Sequence, residues 1–128
     1  MDKSGTKTYK LRTFIFSVNP KLMRKGYLFI LECSNGTYFT GSTINLEKSM
    51  LAQFSGKGAN HTKKYQPQNL MYLEDFWEIN HAFKREKQVQ NWSHNKKSGL
   101  IAANQEELLR LADKHNVLQY TSRKLSEH

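Results

Sequence analysis

Cysteine is almost missing from this chain: Cys33 stands alone among 128 residues. A lone thiol excludes an internal disulfide and any zinc site built from clustered cysteines, and it fits a reducing, intracellular compartment. Proline is nearly as scarce, with only Pro20 and Pro67, so most breaks must come from glycine and polar turns. No apolar run approaches the ~20 residues a membrane helix needs, which predicts a soluble chain without membrane contact. The N-terminus also lacks the basic head, apolar middle and small-residue cleavage site of a signal peptide, so a cytoplasmic protein is expected. Phosphate-cradling glycine loops are missing too, because Gly41, Gly56 and Gly58 match neither nucleotide fingerprint. Internal repeats and low-complexity tracts are absent.

What remains suits one modest globular core, with 38% hydrophobic and 12% aromatic residues. The net charge of +9 points towards nucleic acid, but it is unevenly spread. Residues 1–25 carry seven basic side chains (Lys3, Lys7, Lys10, Arg12, Lys21, Arg24, Lys25) against Asp2, a balance of +6. Residues 26–128 carry thirteen basic and ten acidic side chains, a balance of only +3. Most of the excess is therefore an N-terminal arm. Such an arm binds phosphates by releasing counterions, or it is a plain solvated tail.

Three regions follow from the patterning. Residues 1–22 form a basic extension in which Thr13-Phe14-Ile15-Phe16 reads as a short strand or an unpaired segment, ended by Asn19-Pro20. Met23-Arg24-Lys25-Gly26 opens the domain, taken as 23–102, and Met23 is itself a candidate translation start that mass spectrometry of the native N-terminus would test. Residues 103–128 make a C-terminal helix and tail, with fraying expected after His115.

Within the domain, Tyr27-Leu28-Phe29-Ile30-Leu31 is a β-rich run, and Asn35-Gly36 predicts a hairpin into Thr37-Tyr38-Phe39-Thr40-Gly41 because both turn residues tolerate positive φ. A helix is predicted over 45–54, with Leu46, Met50, Leu51 and Phe54 as its apolar positions, ended by Gly56-Lys57-Gly58. A polar loop at 61–68 and a third strand at 69–76 follow. The 78–92 segment has helical spacing in Ile79, Ala82, Phe83, Val89 and Trp92; a short basic helix spans about 95–102. Asn104 is placed to cap a last amphipathic helix through Leu108, Leu109, Leu111 and Ala112. This order predicts an α+β fold: a small three-stranded, mainly antiparallel sheet flanked by helices.

Two features break the apolar patterning. Glu86 shares a helix face with Ile79, Phe83 and Val89, where a carboxylate costs desolvation unless it is paired or bound to a metal. It reads either as a boundary glutamate partnered by a lysine or backbone donor, or as a metal ligand. Ser49 and Gln53, one turn apart on the first helix, flank its apolar stripe and alone are ordinary boundary residues.

Taken together, Gly26-Tyr27-Leu28-Phe29-Ile30-Leu31, Asn35-Gly36-Thr37-Tyr38-Phe39-Thr40-Gly41-Ser42-Thr43, Asn45-Leu46-Glu47, Gly56-Lys57-Gly58-Ala59-Asn60-His61-Thr62 and Ala82-Phe83-Lys84-Arg85-Glu86-Lys87-Gln88-Val89-Gln90-Asn91-Trp92 resemble the small stand-alone GIY-YIG nuclease domain over 26–101. The resemblance implies metal-assisted phosphodiester hydrolysis: one tyrosine takes a proton from water, a second tyrosine and an arginine align the phosphate, and a glutamate holds a divalent metal such as magnesium. By position Glu86 matches the metal ligand. Phe29 and Phe39 fall where the two tyrosines are expected, Ser49 at the arginine, and Gln53 at a position often held by histidine.

These replacements keep the rings and remove the reactive atoms. Neither phenylalanine accepts a proton, and serine cannot replace a guanidinium fork on phosphate. Each such loss typically costs roughly 10²–10³ in rate, and the losses are not additive. Tyr27, on the same strand face as Phe29, is the candidate for a displaced hydroxyl, and Lys48 or Arg85 for the missing charge. Three readings follow. One is a DNA-binding module retaining a depleted site, with Lys57, His61, Lys63, Lys64, Lys84, Arg85, Lys87, Trp92, Lys96 and Lys97 as its contacts. The others are a metal-dependent endonuclease with a rearranged site and a protein-interaction module.

Overall fold

The computed structural model describes residues 24–121. The extension over 1–22, with its strand candidate at Thr13-Phe14-Ile15-Phe16, and residues 122–128 lie outside that range. The sheet has three strands in the order β2-β1-β3: β1 is Gly26–Cys33, β2 is Tyr38–Thr43 and β3 is Pro67–Phe76. Both pairings are antiparallel. Among the described residues five α-helices surround it: α1 (Leu46–Phe54), α2 (Asn60–Lys64), α3 (Ile79–Gln90), α4 (His94–Ala102) and α5 (Gln105–Lys114).

The central strand β1 is buried on both faces, so its sequence is a continuous rather than alternating apolar run. On one face Tyr27, Phe29 and Leu31 pack with Leu46 and Met50 of α1 and with Leu108, Leu111 and Ala112 of α5. On the other, Leu28 and Ile30 pack with Tyr72, with Val89 of α3 and with Ile101 of α4. The result is a helix–sheet–helix stack, the α+β layout expected from the element order.

Local chemistry sets the turns. The Asn35-Gly36 hairpin forms, but only Gly36 takes a positive φ, at 83°. Asn35 works through its side chain, whose Oδ1 accepts from Thr37 N at 3.2 Å and from the Thr37 hydroxyl at 2.7 Å. The turn bond runs from Gly36 N to Cys33 O at 2.8 Å, so this is a three-residue loop with its glycine last. At the start of α1, Asn45 Oδ1 accepts from Lys48 N at 3.0 Å. Asn104 stands at the start of α5, yet its amide turns back to donate to Leu100 O at 2.7 Å instead of capping.

Three expectations are corrected. The polar loop contains α2, and β3 begins at Pro67, an edge-strand position where a missing N–H is tolerated. Phe83 and Leu51 are not core residues, being 50% and 63% exposed. The chain beyond His115 does not fray at once: Asn116 takes φ 59°, Val117 is fully buried, and Thr121 forms a parallel bridge with Leu70.

Candidate functional site

Strand register sorts the candidate residues onto the two faces of the sheet. Phe29 lies opposite Gly41, Leu31 opposite Phe39 and Tyr27 opposite Thr43, so these side chains share the α1 face. Leu28 lies opposite Ser42 and Ile30 opposite Thr40, which share the α3 face.

On the α1 face the Phe29 ring lies directly over Gly41. A Cβ at Gly41 would stand 2.5 Å from Phe29 Cζ, the para carbon that carries a tyrosine's hydroxyl. Only glycine admits this approach. The Phe39 ring follows at 6.2 Å between centroids, tilted by 46°, and His61 stacks on Phe39 at 6.0 Å and 17°. Ser49 Oγ donates to Thr43 Oγ1, which in turn bonds Asn45. The position expected to hold a guanidinium therefore holds a hydroxyl already engaged in the start of α1. Gln53 is buried, and its Oε1 accepts from the Thr62 hydroxyl and from Ala59 N at 3.4 Å. It ties α2 and the glycine loop to α1.

Glu86 lies on the other face. Its helix packs on β1 and β2, and its Oε1 accepts from Ser42 Oγ at 2.6 Å. The partner is thus a strand hydroxyl and not the lysine that the helix pattern suggested. Ser42 and Thr43 are consecutive, one reaching Glu86 and the other Ser49. Phe29, Phe39, Ser49 and Gln53 are gathered on one side of the edge strand and Glu86 on the other.

Of the candidates for compensation, Tyr27 and Arg85 are otherwise occupied. Tyr27 is 7% exposed and meets His115 edge-on at 4.7 Å; burial, then nearby Asp75, pushes its phenol above the ordinary value. Arg85 is paired with Glu74 at 3.3 Å and lies over the Trp92 ring at 5.2 Å. Tyr38 points away from Phe39, stacks on His94 at 4.3 Å and hydrogen-bonds Ser98. Lys48 is exposed.

The basic candidates also divide. Lys57, Lys63 and Lys64 are exposed around half-buried His61, beside Phe39. Lys84, Arg85, Lys87, Trp92 and Lys96 sit on α3, α4 and their junction, with Lys96 Nζ 4.2 Å from the Trp92 ring centre and Lys87 Nζ 4.9 Å from that of Phe83. Lys97 is no open cation: it is 8% exposed, and burial lowers its pKa. Sequence reasoning missed Ser42 as the partner of Glu86, although alternation along β2 places it on that face. It also missed the bond from Thr37 to His61, for which local sequence holds no signal.

A small three-stranded antiparallel sheet flanked by helices is the fold expected from the sequence. Residues 25–98 match the model of the GIY-YIG catalytic domain, and the chain belongs to that family. A UPF0213 protein of Syntrophus aciditrophicus is 41% identical over 87 residues, covering 67% of this chain and all of that relative. A UPF0213 protein of Staphylococcus saprophyticus is 36% identical over 80 residues, covering 62% of this chain and 98% of the relative. A solution NMR structure of the UPF0213 protein BH0048 from Bacillus halodurans is 32% identical, with a TM-score of 0.42 over 62% of this chain and 84% of that one.

Proposed function

We propose that this chain is a nucleic-acid-binding member of the GIY-YIG family, acting chiefly on DNA, with phosphodiesterase activity strongly reduced or lost. The carrying observation is the pairing of Phe29 with Gly41: the ring occupies its slot with Cζ over the strand, and no hydroxyl is attached. With Ser49 bonded to Thr43 and Tyr27 buried under a raised pKa, the α1 face offers neither a ready proton acceptor from tyrosine nor a planar cation for phosphate.

Glu86 is the residue that would hold a divalent metal. Among the described residues no group of three or more His, Cys, Asp or Glu stands together. One half-buried carboxylate suits magnesium completed by waters and phosphate oxygens, and does not suit zinc. When bound, such an ion would polarise the phosphate. The chain's own part is then to present the Glu86 oxygen, oriented by Ser42.

The test is incubation of the full chain with supercoiled plasmid and labelled single strands, in Mg²⁺ or Mn²⁺, beside Glu86→Gln. The reading expects no cleavage above that variant, with affinity that falls steeply as salt rises. Cleavage abolished by Glu86→Gln would replace it with the metal-dependent endonuclease of rearranged site. The absence of any salt-sensitive binding would favour the protein-interaction module.

A further inference from the structure

Four rings run outward from the core on the α1 face. Phe29 and Phe39 are 6.2 Å apart, Phe39 and His61 6.0 Å, and His61 and Tyr65 5.3 Å between centroids. Phe29 is 2% exposed, whereas His61 and Tyr65 are half-buried, so the series is anchored in the core and ends at solvent.

Hydrogen bonds fix the orientation of its third ring. The Thr37 hydroxyl gives its proton to Asn35 Oδ1, which also accepts from Thr37 N. Thr37 Oγ1 also hydrogen-bonds His61 Nε2, 2.9 Å away. His61 is thereby pinned by Thr37 at one edge and by Phe39 on one face.

Charge along this segment of the chain has one sign. No Asp or Glu occurs between Glu47 and Glu74, a stretch that carries Lys48, Lys57, Lys63 and Lys64. Lys64 Nζ lies 5.3 Å from the centre of the Tyr65 ring. Aromatic rings set in an acid-free, lysine-bearing segment combine the two elements of sequence-tolerant single-strand binding, stacking platforms and phosphate contacts.

We infer that His61 and Tyr65 form a stacking site for the unpaired bases of single-stranded nucleic acid, with Lys57, Lys63 and Lys64 taking the backbone. The inference rests on the nucleic-acid-binding reading above and narrows it. Duplex bases give their faces to one another and leave none for these rings, so a stacking site discriminates between unpaired and paired strands. The rigid Phe29–Phe39 base means that little ring motion has to be frozen on binding.

The test is fluorescence anisotropy with the full chain, using a labelled oligothymidine, the matching oligouridine, and a DNA duplex of equal length. Tighter binding of either single strand than of the duplex is expected, and the two strands together tell DNA from RNA. His61→Ala and Tyr65→Ala should each weaken single-strand binding about tenfold while changing duplex binding less than about twofold. His61→Phe and Tyr65→Phe, which keep a ring, should hold affinity close to the unsubstituted chain, and this guards against misreading a folding defect. Salt-sensitive duplex binding at least as tight as single-strand binding would overturn this inference and leave the broader reading standing. Equal losses on both ligands in the alanine variants would do the same. No salt-sensitive binding to any of the three would overturn both.

Discussion

Gly41→Ala tests whether the Phe29 ring is held as packing where a catalytic tyrosine would stand. The added Cβ would lie 2.5 Å from Phe29 Cζ and 3.0 and 3.1 Å from the flanking Cε atoms, so the ring rather than one flexible atom obstructs it. Ordinary contact begins at 3.4 Å, and 3.4 minus 2.5 requires a retreat of about 0.9 Å. The ring cannot retreat freely, because Phe29 is 2% exposed within a cluster that includes Leu46, Met50 and Leu73. Overpacking of this kind costs about 1–3 kcal/mol. For a domain of this size that is a fall in Tm of about 5–20 °C. Thermal unfolding followed by circular dichroism measures it. Phe29→Leu shortens the side chain and removes Cζ, so in that background Gly41→Ala should cost much less, giving a coupling of at least about 1 kcal/mol across the cycle. Equal losses in the two backgrounds, or none in either, would refute the placement of the ring.

The pH dependence of stability should carry a contribution from His115, whose pKa is lowered by burial first and then by Lys114 and Lys25, against an opposing pull from Asp75. The unfolded chain takes up the proton before the folded one, so this contribution is complete above the unfolded value near 6.5 and is lost as pH falls below it. Tm profiles between pH 8 and pH 5 should therefore slope less in His115→Gln than in the unsubstituted chain; parallel profiles would count against the assignment. Lys97→Met should leave the urea midpoint unchanged or raise it, because the residue as a whole is 8% exposed and has no ion pair among the described residues. A loss above about 1 kcal/mol would show that Lys97 makes a stabilising contact.

The parts of the fold that were legible are those governed by local pattern. The buried run of β1, the Asn35-Gly36 turn and the leucine stripe of α5 each declare themselves within a few residues. Helix α3 was legible as a helix but not in its rotation. Ile79, Ala82, Phe83, Glu86 and Val89 span a wide arc, and packing selects Ala82 and Val89 while leaving Phe83 under Lys87. Helix α2 has no apolar periodicity; its Asn-His-Thr-Lys-Lys sequence is held by Thr62 against Gln53, a contact made across sequence. The same limit applies to the site. Spacing along the chain identifies which position each replaced residue occupies. It cannot supply Ser42 for Glu86 or His61 for Phe39, because those partners are brought together only by the sheet and its flanking helices.

The candidate site also separates residues that the fold needs from those it does not. At Phe29 the ring fills the core whether or not a hydroxyl is attached, and removing a buried phenylalanine ring costs about 3–5 kcal/mol. Gln53 binds the loop before α2 to α1, so it too has structural work independent of chemistry. Glu86 is not a member of either hydrophobic cluster, and among the described residues its one side-chain bond is to Ser42. A glutamine there would keep the size and an oxygen to accept from Ser42 while removing the charge. Glu86→Gln therefore isolates electrostatics from packing, which no substitution at Phe29 or Gln53 can do. If that change alters metal-dependent cleavage with Tm preserved, the carboxylate acts on a ligand and not on the fold.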